Sequence, residues 1–381
     1  MKTKPLAIVF LVIVFAIAIV NIPNFAKALG TVPGADTIRD KINSIDGSYN
    51  DQFATKYRFV EINGVTCKVL QNEQINGTVM LKNGYLSYRF KESDVAPKAE
   101  KVAQLSEYLK SKDIKFSYIA IPYKNSPYDD QVPFGIYDYG NENQDAMMKA
   151  LQEKGVATYD LTPLLHEKTG DDWYGAYFKT DHHWKPETAF WAHTEVAKYL
   201  SETYGYKTNA KAMDMANYDT DVYKDWFLGS QGKKTGRFVA GLDDMTLIYP
   251  KWDTKVTLTK PTADEVRSGS FKEAIFDKKC LEKDYYIVNS FAAYLGNMLD
   301  LCTIQNKEGV NHGKVLVIKD SFSIAMVPYL SFMFDEVDVI DMRYYKAGTL
   351  KEYIDETKPE LVIMPYSSSV FGSKGAFDFG F

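Results

Sequence analysis

Hydrophobic and polar positions follow two rhythms along this chain. The runs at 114–121, 156–161, 315–318, 337–340 and 361–364 are short and almost continuously apolar, the pattern of strands covered on both faces. Between them the apolar positions recur with helical spacing. Pro97 opens one such stretch, running to about residue 112 with Val102, Leu105, Tyr108 and Leu109 on one face. Others cover 144–154 and 186–204, and a further helix starts soon after Ser321. Helix and strand in alternation predict a parallel sheet flanked by helices, an α/β core built from 91–204 and 286–381. The stretch 205–285 breaks the rhythm with Trp226, Trp252 and β-rich runs at 245–249 and 255–258, and reads as an insertion packed on that core. Ahead of the core, residues 57–62 alternate and are followed by Asn63-Gly64 and Asn83-Gly84, which predicts short antiparallel strands with tight turns. Residues 29–90 are therefore a polar lead-in, 31–54, and a small β layer.

The first thirty residues depart from this globular pattern. Lys2 and Lys4 precede an apolar run at 6–20, and Ala26-Lys27-Ala28 has the small-x-small form a signal peptidase accepts. The run is shorter than the roughly 20 residues of a spanning helix, which favours cleavage after Ala28. If 21–25 are counted with it, residues 1–28 become a retained anchor with its basic end in the cytoplasm. Both readings place the rest of the chain outside the cytoplasm.

Composition narrows the partners. The 381 residues carry 45 basic and 50 acidic side chains, a net charge of -5, so no overall basic field exists to hold nucleic acid. Three cysteines exclude a disulfide scaffold, and Cys67, Cys280 and Cys302 lack zinc-ribbon spacing. In an oxidising compartment Cys280 and Cys302 can pair and leave Cys67 free; two ordinary buried thiols fit the sequence equally.

Two motifs carry candidate chemistry. Thr180-Asp181-His182-His183-Trp184 lies in a loop between an aromatic run and the helix opened by Pro186. In an extended segment Asp181 and His183 project to the same side, where the carboxylate can orient the imidazole as a general base, while His182 points elsewhere. An Asp helix cap with locally bonded histidines explains the same residues. Lys319-Asp320-Ser321-Phe322-Ser323 directly follows a buried strand and places Ser321 at the carboxyl edge of the sheet, either as a nucleophile with helix N–H groups at hand or as a helix cap. A Gly-x-Ser-x-Gly elbow is absent, since Gly229-Ser230-Gln231-Gly232 is one residue short of it. A metal hydrolase on His182-His183 fits poorly, because adjacent side chains diverge and no helical i, i+4 acidic partner is present.

Taken together, Asp181-His182-His183-Trp184, Ile318-Lys319-Asp320-Ser321-Phe322 and Val339-Ile340-Asp341-Met342-Arg343-Tyr344-Tyr345 resemble the bacterial DHHW proteins. That family is similar to the SGNH-hydrolase-like domains that O-acetylate alginate and other exopolysaccharides. The resemblance runs from about Pro97 to the C-terminus and within the insertion rests on Gly229-Ser230-Gln231-Gly232 and Gly241-Leu242-Asp243-Asp244. It implies a flavodoxin-like sheet, Ser321 as nucleophile, His183 as base and Asp181 as its orienting group. The reaction implied is O-acyl transfer to a cell-surface or exported polysaccharide, with no cofactor in this chain and the acyl group arriving from a membrane-embedded donor protein. An O-acyl esterase would use the same residues, and a non-catalytic glycan-binding protein would keep the fold. Further candidates are Arg343 for a carboxylate or sugar oxygen, or else for a salt bridge to Asp341 or Glu336, Gly229 and Ser230 for an oxyanion, or else as a plain turn, Asn297 as the SGNH asparagine donor, and Tyr123 as a lining residue.

Overall fold

A computed structural model of the chain describes residues 3–30, 55–296 and 300–381. The continuous apolar runs become adjacent strands: β4 (Lys115–Ile121), β5 (Thr158–Asp160), β11 (Asn311–Ile318), β12 (Phe334–Ile340) and β13 (Leu361–Ser367). They pair in parallel in the order β5-β4-β13-β11-β12. All five carboxyl ends therefore lie along one edge. Successive residues face opposite sides of the sheet, and each side is covered. Ile119, Ile121, Val315 and Val317 pack with Ala189, Phe190 and Val196 of the helix Pro186–Tyr204, whereas Tyr118, Ala120, Leu316 and Ile318 pack with Val102, Leu105 and Leu109 of the helix Ala96–Ser111 and with Met147 and Leu151 of the helix Gly140–Glu153. The Val, Leu, Ile, Met and Phe side chains among them each contribute about 1.5–3 kcal/mol on burial, so the sheet is a rigid platform for its edge. This is the central parallel sheet between helices that the alternating pattern predicts.

The sheet continues antiparallel beyond β12, through β10 (Leu301–Gln305) to β8 (Val256–Lys260) and β9 (Glu265–Gly269). Strands of the segment read as an insertion thus extend the central sheet. The rest of that segment includes a two-stranded ribbon of β6 (Tyr218–Phe227) and β7 (Asp243–Pro250). Ahead of the core, β1 (Gln74–Ile75), β2 (Thr78–Met80) and β3 (Leu86–Ser87) form a small antiparallel sheet, with the Asn83-Gly84 turn between β2 and β3.

Three local expectations are corrected. Residues 57–62 are not a strand: Lys56–Val69 is one helix, and Gly64 lies buried inside it instead of in a turn. A Cβ on Gly64 would fall 1.7 Å from the Thr235 carbonyl oxygen, so this glycine serves helix-to-helix approach. The segment after Ser321 is not an α-helix but two 3₁₀ turns, Ser321–Ala325 and Val327–Phe332. Pro328 lacks the N–H that a continuous helix would direct at Ile324. Of the two readings of the cysteines the unpaired one is seen: all three are free, with Cys302 in β10, opposite Val339, and Cys280 in a separate 3₁₀ turn.

At the N-terminus the helical apolar segment is longer than the run at 6–20. The helix Thr3–Gly30 contains a window, Ile8–Lys27, of mean hydropathy 2.6, long and apolar enough to cross a membrane. The lead-in 31–54 lies outside the described residues.

Candidate active site

Ser321 lies three residues beyond the last residue of β11, at the carboxyl edge of the parallel sheet. Its turn is anchored by Asp320. One oxygen of that carboxylate accepts from the Phe322 N–H at 3.0 Å, and the other from the N–H and hydroxyl of Ser367 at 2.9 and 2.6 Å. Asp320 thereby joins the end of β11 to the end of β13, and burial pushes its carboxyl above the ordinary range. Phe322 and Ser323 are buried beside it in the turn, while Ser321 stays partly accessible. Among the described residues the Ser321 N–H makes no hydrogen bond, as expected for the first N–H of a helical turn.

The Asp181 loop is pinched at its base by the antiparallel bridge between Tyr177 and Trp184 and by the bond from the Phe178 N–H to the His183 carbonyl at 3.2 Å. Within it the chain bends. Asp181 Oδ1 accepts the His183 N–H at 3.0 Å, an Asx turn, and the same oxygen lies 2.5 Å from His183 Nδ1. The pairing anticipated for an extended segment is therefore made by a turn, and His182 does not point away from its neighbour. The two imidazole centroids are 3.8 Å apart, and His182 Nδ1 faces Ser230 Oγ at 3.1 Å.

The other ring nitrogen of His183, Nε2, is 2.8 Å from Ser321 Oγ. An ionised carboxylate only accepts, so Nδ1 carries the proton and Nε2 is the acceptor for the serine hydroxyl. Burial acts to raise the Asp181 carboxyl, but the adjacent imidazoles of His182 and His183 and the Ser230 N–H outweigh it and hold the group well below the usual carboxylate range. Burial and the neighbouring His183 push the His182 imidazole down to about 3, so it is neutral at pH 7. Phe291 stacks on the His183 ring at 4.3 Å and Phe322 lies at 4.9 Å, which fixes the ring plane.

Three residues distant in the chain hold the loop. Asp243, the first residue of β7, accepts the N–H groups of Lys179 and Thr180 at 2.7 and 2.8 Å and the Thr180 hydroxyl at 2.6 Å. The Gly229 N–H donates to Thr180 Oγ1 at 2.9 Å, and the Ser230 N–H to Asp181 Oδ2 at 2.6 Å. Both N–H groups put forward as oxyanion donors are thus spent on the loop. Gly229 serves close approach instead, since a Cβ there would meet the Asp181 Cβ at 2.2 Å. In the sequence Asp243 stands out only as part of Gly241-Leu242-Asp243-Asp244.

The remaining candidates are differently placed: the Arg343 charge acts on Asp320 and His182, so it lies beside the site, although its donors are taken up by Asp341. Arg343 directs Nε and Nη2 at the two oxygens of Asp341, at 2.8 and 2.7 Å, a bidentate pair that Lys319 joins at 2.8 Å. Tyr123 is buried, its hydroxyl donating to the Tyr88 carbonyl at 2.7 Å, so it packs rather than lines. Asn297 lies outside the described residues. Asp181, His182 and His183 bring possible ligand atoms within 4.8 Å of one another, a spacing a metal could use. Yet both His183 nitrogens are committed, one to Asp181 and one to Ser321, so the trio does not fit a metal without dismantling the chain of bonds.

Fold and site together give an SGNH-hydrolase-like fold with an aligned Ser, His and Asp at its sheet edge. Residues 81–223 match the model for the SGNH hydrolase-like domain of acetyltransferase AlgX. The chain is similar to the structure of Bacillus cereus PatB1 with a sulfonyl adduct, at 23% identity and a TM-score of 0.64 over 77% of this chain and 97% of that one. It is also similar to a DHHW family protein from Eubacterium siraeum, at 20% identity and a TM-score of 0.61 over 80% and 94% of the two chains. No curated protein sequence matches it.

Proposed function

We propose that this chain is a serine O-acyltransferase that acetylates a polysaccharide outside the cytoplasm. The observation that carries the reading is the run of contacts from Asp181 through His183 to Ser321, at 2.5 and 2.8 Å, at the carboxyl edge of the sheet. In the first step Ser321 Oγ attacks the acyl carbonyl and its proton passes to His183 Nε2. The donor's leaving group departs with that proton, and an acyl ester remains on Ser321. In the second step a sugar hydroxyl gives its proton to Nε2 and attacks the ester, and Ser321 leaves as the free hydroxyl. Asp181 holds the Nδ1 proton throughout and stabilises the imidazolium. The Ser321 N–H, without a partner among the described residues, is a donor for the oxyanion.

The matching acetyltransferase domain, and the apolar N-terminal helix that would place the globular part outside the cytoplasm, support transfer to an exported glycan. The acyl donor would be a membrane-embedded protein, because a cytoplasmic carrier does not reach that compartment.

The test is to treat the full chain in detergent with 4-nitrophenyl acetate, and separately with a sulfonyl fluoride, and to map the adduct by mass spectrometry. One acetyl or sulfonyl group on Ser321, absent from Ser321→Ala, is expected. Release of the acetyl group to an added oligosaccharide faster than to water distinguishes the transferase from an esterase. A chain that binds glycan but is labelled nowhere would overturn the catalytic reading.

A further inference from the structure

Lys124 follows the end of β4 by three residues, and its side chain is wholly enclosed. An enclosed ammonium is tolerated when all its N–H groups find acceptors. Here every acceptor is a peptide carbonyl: Leu86 of β3, Asp181 at 2.8 Å and, more distantly, Lys179 at 3.4 Å. The base of the side chain is itself fixed. The Lys124 carbonyl accepts the Trp173 indole N–H at 2.9 Å, and the Tyr177 hydroxyl donates to the Pro122 carbonyl at 3.0 Å.

We infer that Lys124 is a positioning residue for the proposed triad, its ammonium setting the Asp181 peptide so that the carboxylate meets His183; the inference rests on the reading of Ser321 as nucleophile. Asp181 is held at two ends, its carbonyl by Lys124 and its carboxylate by Ser230 and His183. Removing the ammonium leaves carbonyls of two separate segments buried without donors, and the Asp181 peptide is free to turn. Burial pushes the amine down to about 7; the carboxylates of Asp243 and Asp181 oppose that and Lys185 adds to it. The Tyr85 ring closes the remaining side, 5.4 Å from Nζ.

The test compares the full-length wild type with Lys124→Met, which keeps the stem and removes the donors. The first readout is the low-field proton resonance of the His183 Nδ1–H bonded to Asp181, identified by its loss in Asp181→Asn. It should vanish or move upfield in Lys124→Met while the melting profile shows a folded chain. The second is the acetylation burst at Ser321, expected to slow about 100-fold at unchanged reagent affinity, with the midpoint of its pH profile displaced. A merely structural loss would shrink the burst without moving that midpoint. If Lys124→Met does not fold, Lys124→Gln, with two donors on a shorter stem in place of three, takes its place, and a smaller displacement of the resonance in the same direction is expected. A folded variant with the resonance and burst rate of the wild type overturns the inference while leaving the nucleophile reading intact. A resonance lost in the variant, with no labelling of wild-type Ser321, sustains the positioning role and removes the acyl-transfer reading.

Discussion

The Ser230 N–H donates to Asp181 Oδ2 at 2.6 Å, on the far side of the carboxylate from the oxygen that meets His183. One carboxylate oxygen is therefore used to hold Asp181 and the other to hold the imidazole. The Ser230 N–H comes from the start of a short helix, Ser230–Thr235, that reaches Asp181 because Gly229 has no side chain.

Gly229→Ala should consequently behave as an active-site lesion although Gly229 contacts no reacting atom. The new Cβ would lie 2.2 Å from Asp181 Cβ and 2.6 Å from its Cα, so the loop or the helix must shift. We expect a loss of about 1–3 kcal/mol in urea unfolding and an acetylation rate down about 100-fold. Ser230→Ala keeps the N–H and should stay within a few-fold of wild type. Equal rates for Gly229→Ala and the wild type would show that Asp181 needs no such support.

The two histidines should differ in kind. His183→Ala removes the acceptor 2.8 Å from Ser321 and is expected to lower the burst rate by about 1,000-fold or more. His182→Ala removes a ring packed on His183 and bonded to Ser230, and about a tenfold loss is expected. Equal losses, measured as burst rates at pH 7, would mean that the base is misassigned.

Acid stability should report a residue outside the site. His193 is buried, faces the Phe190 carbonyl at 2.5 Å, and burial pushes its imidazole from 6.5 to about 4. Below pH 6.5 the unfolded chain takes up a proton there that the native chain refuses until about pH 4. Stability from this group is thus present above 6.5 and lost as pH falls through that window, on the order of 3 kcal/mol in all. Urea midpoints between pH 7 and 4.5 should fall less steeply for His193→Gln than for wild type; parallel slopes would exclude His193 as the source.

A reporter fused after Phe381 should be active only outside the cytoplasm, because the helix Thr3–Gly30 contains a window long and apolar enough to direct export or to span. If Ala26-Lys27-Ala28 is cut, the mature chain begins at Leu29; if not, it sediments with membranes. Protein recovered wholly from the cytoplasm would remove polysaccharide acetylation from consideration.

Features that repeat or concentrate locally are legible in the amino-acid sequence itself. Strands β4, β11, β12 and β13 announce themselves because burial on both faces demands continuous apolar residues, and Asp181, His183 and Ser321 stand out because their chemistry is compressed into two short motifs. Residues 57–62 mislead because alternation over six positions also fits a helix, and the deciding contact, Gly64 on Thr235, joins residues far apart in the chain. The turn that aims His183 depends on a side chain accepting a backbone N–H two residues on, which side-chain periodicity does not encode. The direction of the Gly229 and Ser230 N–H groups, and the meeting of the Leu86, Lys179 and Asp181 carbonyls at Lys124, exist only once separate segments have packed. The chain alone thus determined which chemical groups are present and on which kind of element. Tertiary packing decided which hydrogen-bond donors are spent on support and which, like the Ser321 N–H among the described residues, have no partner, because a donor's partner depends on the approach of distant backbone and not on its neighbours in sequence.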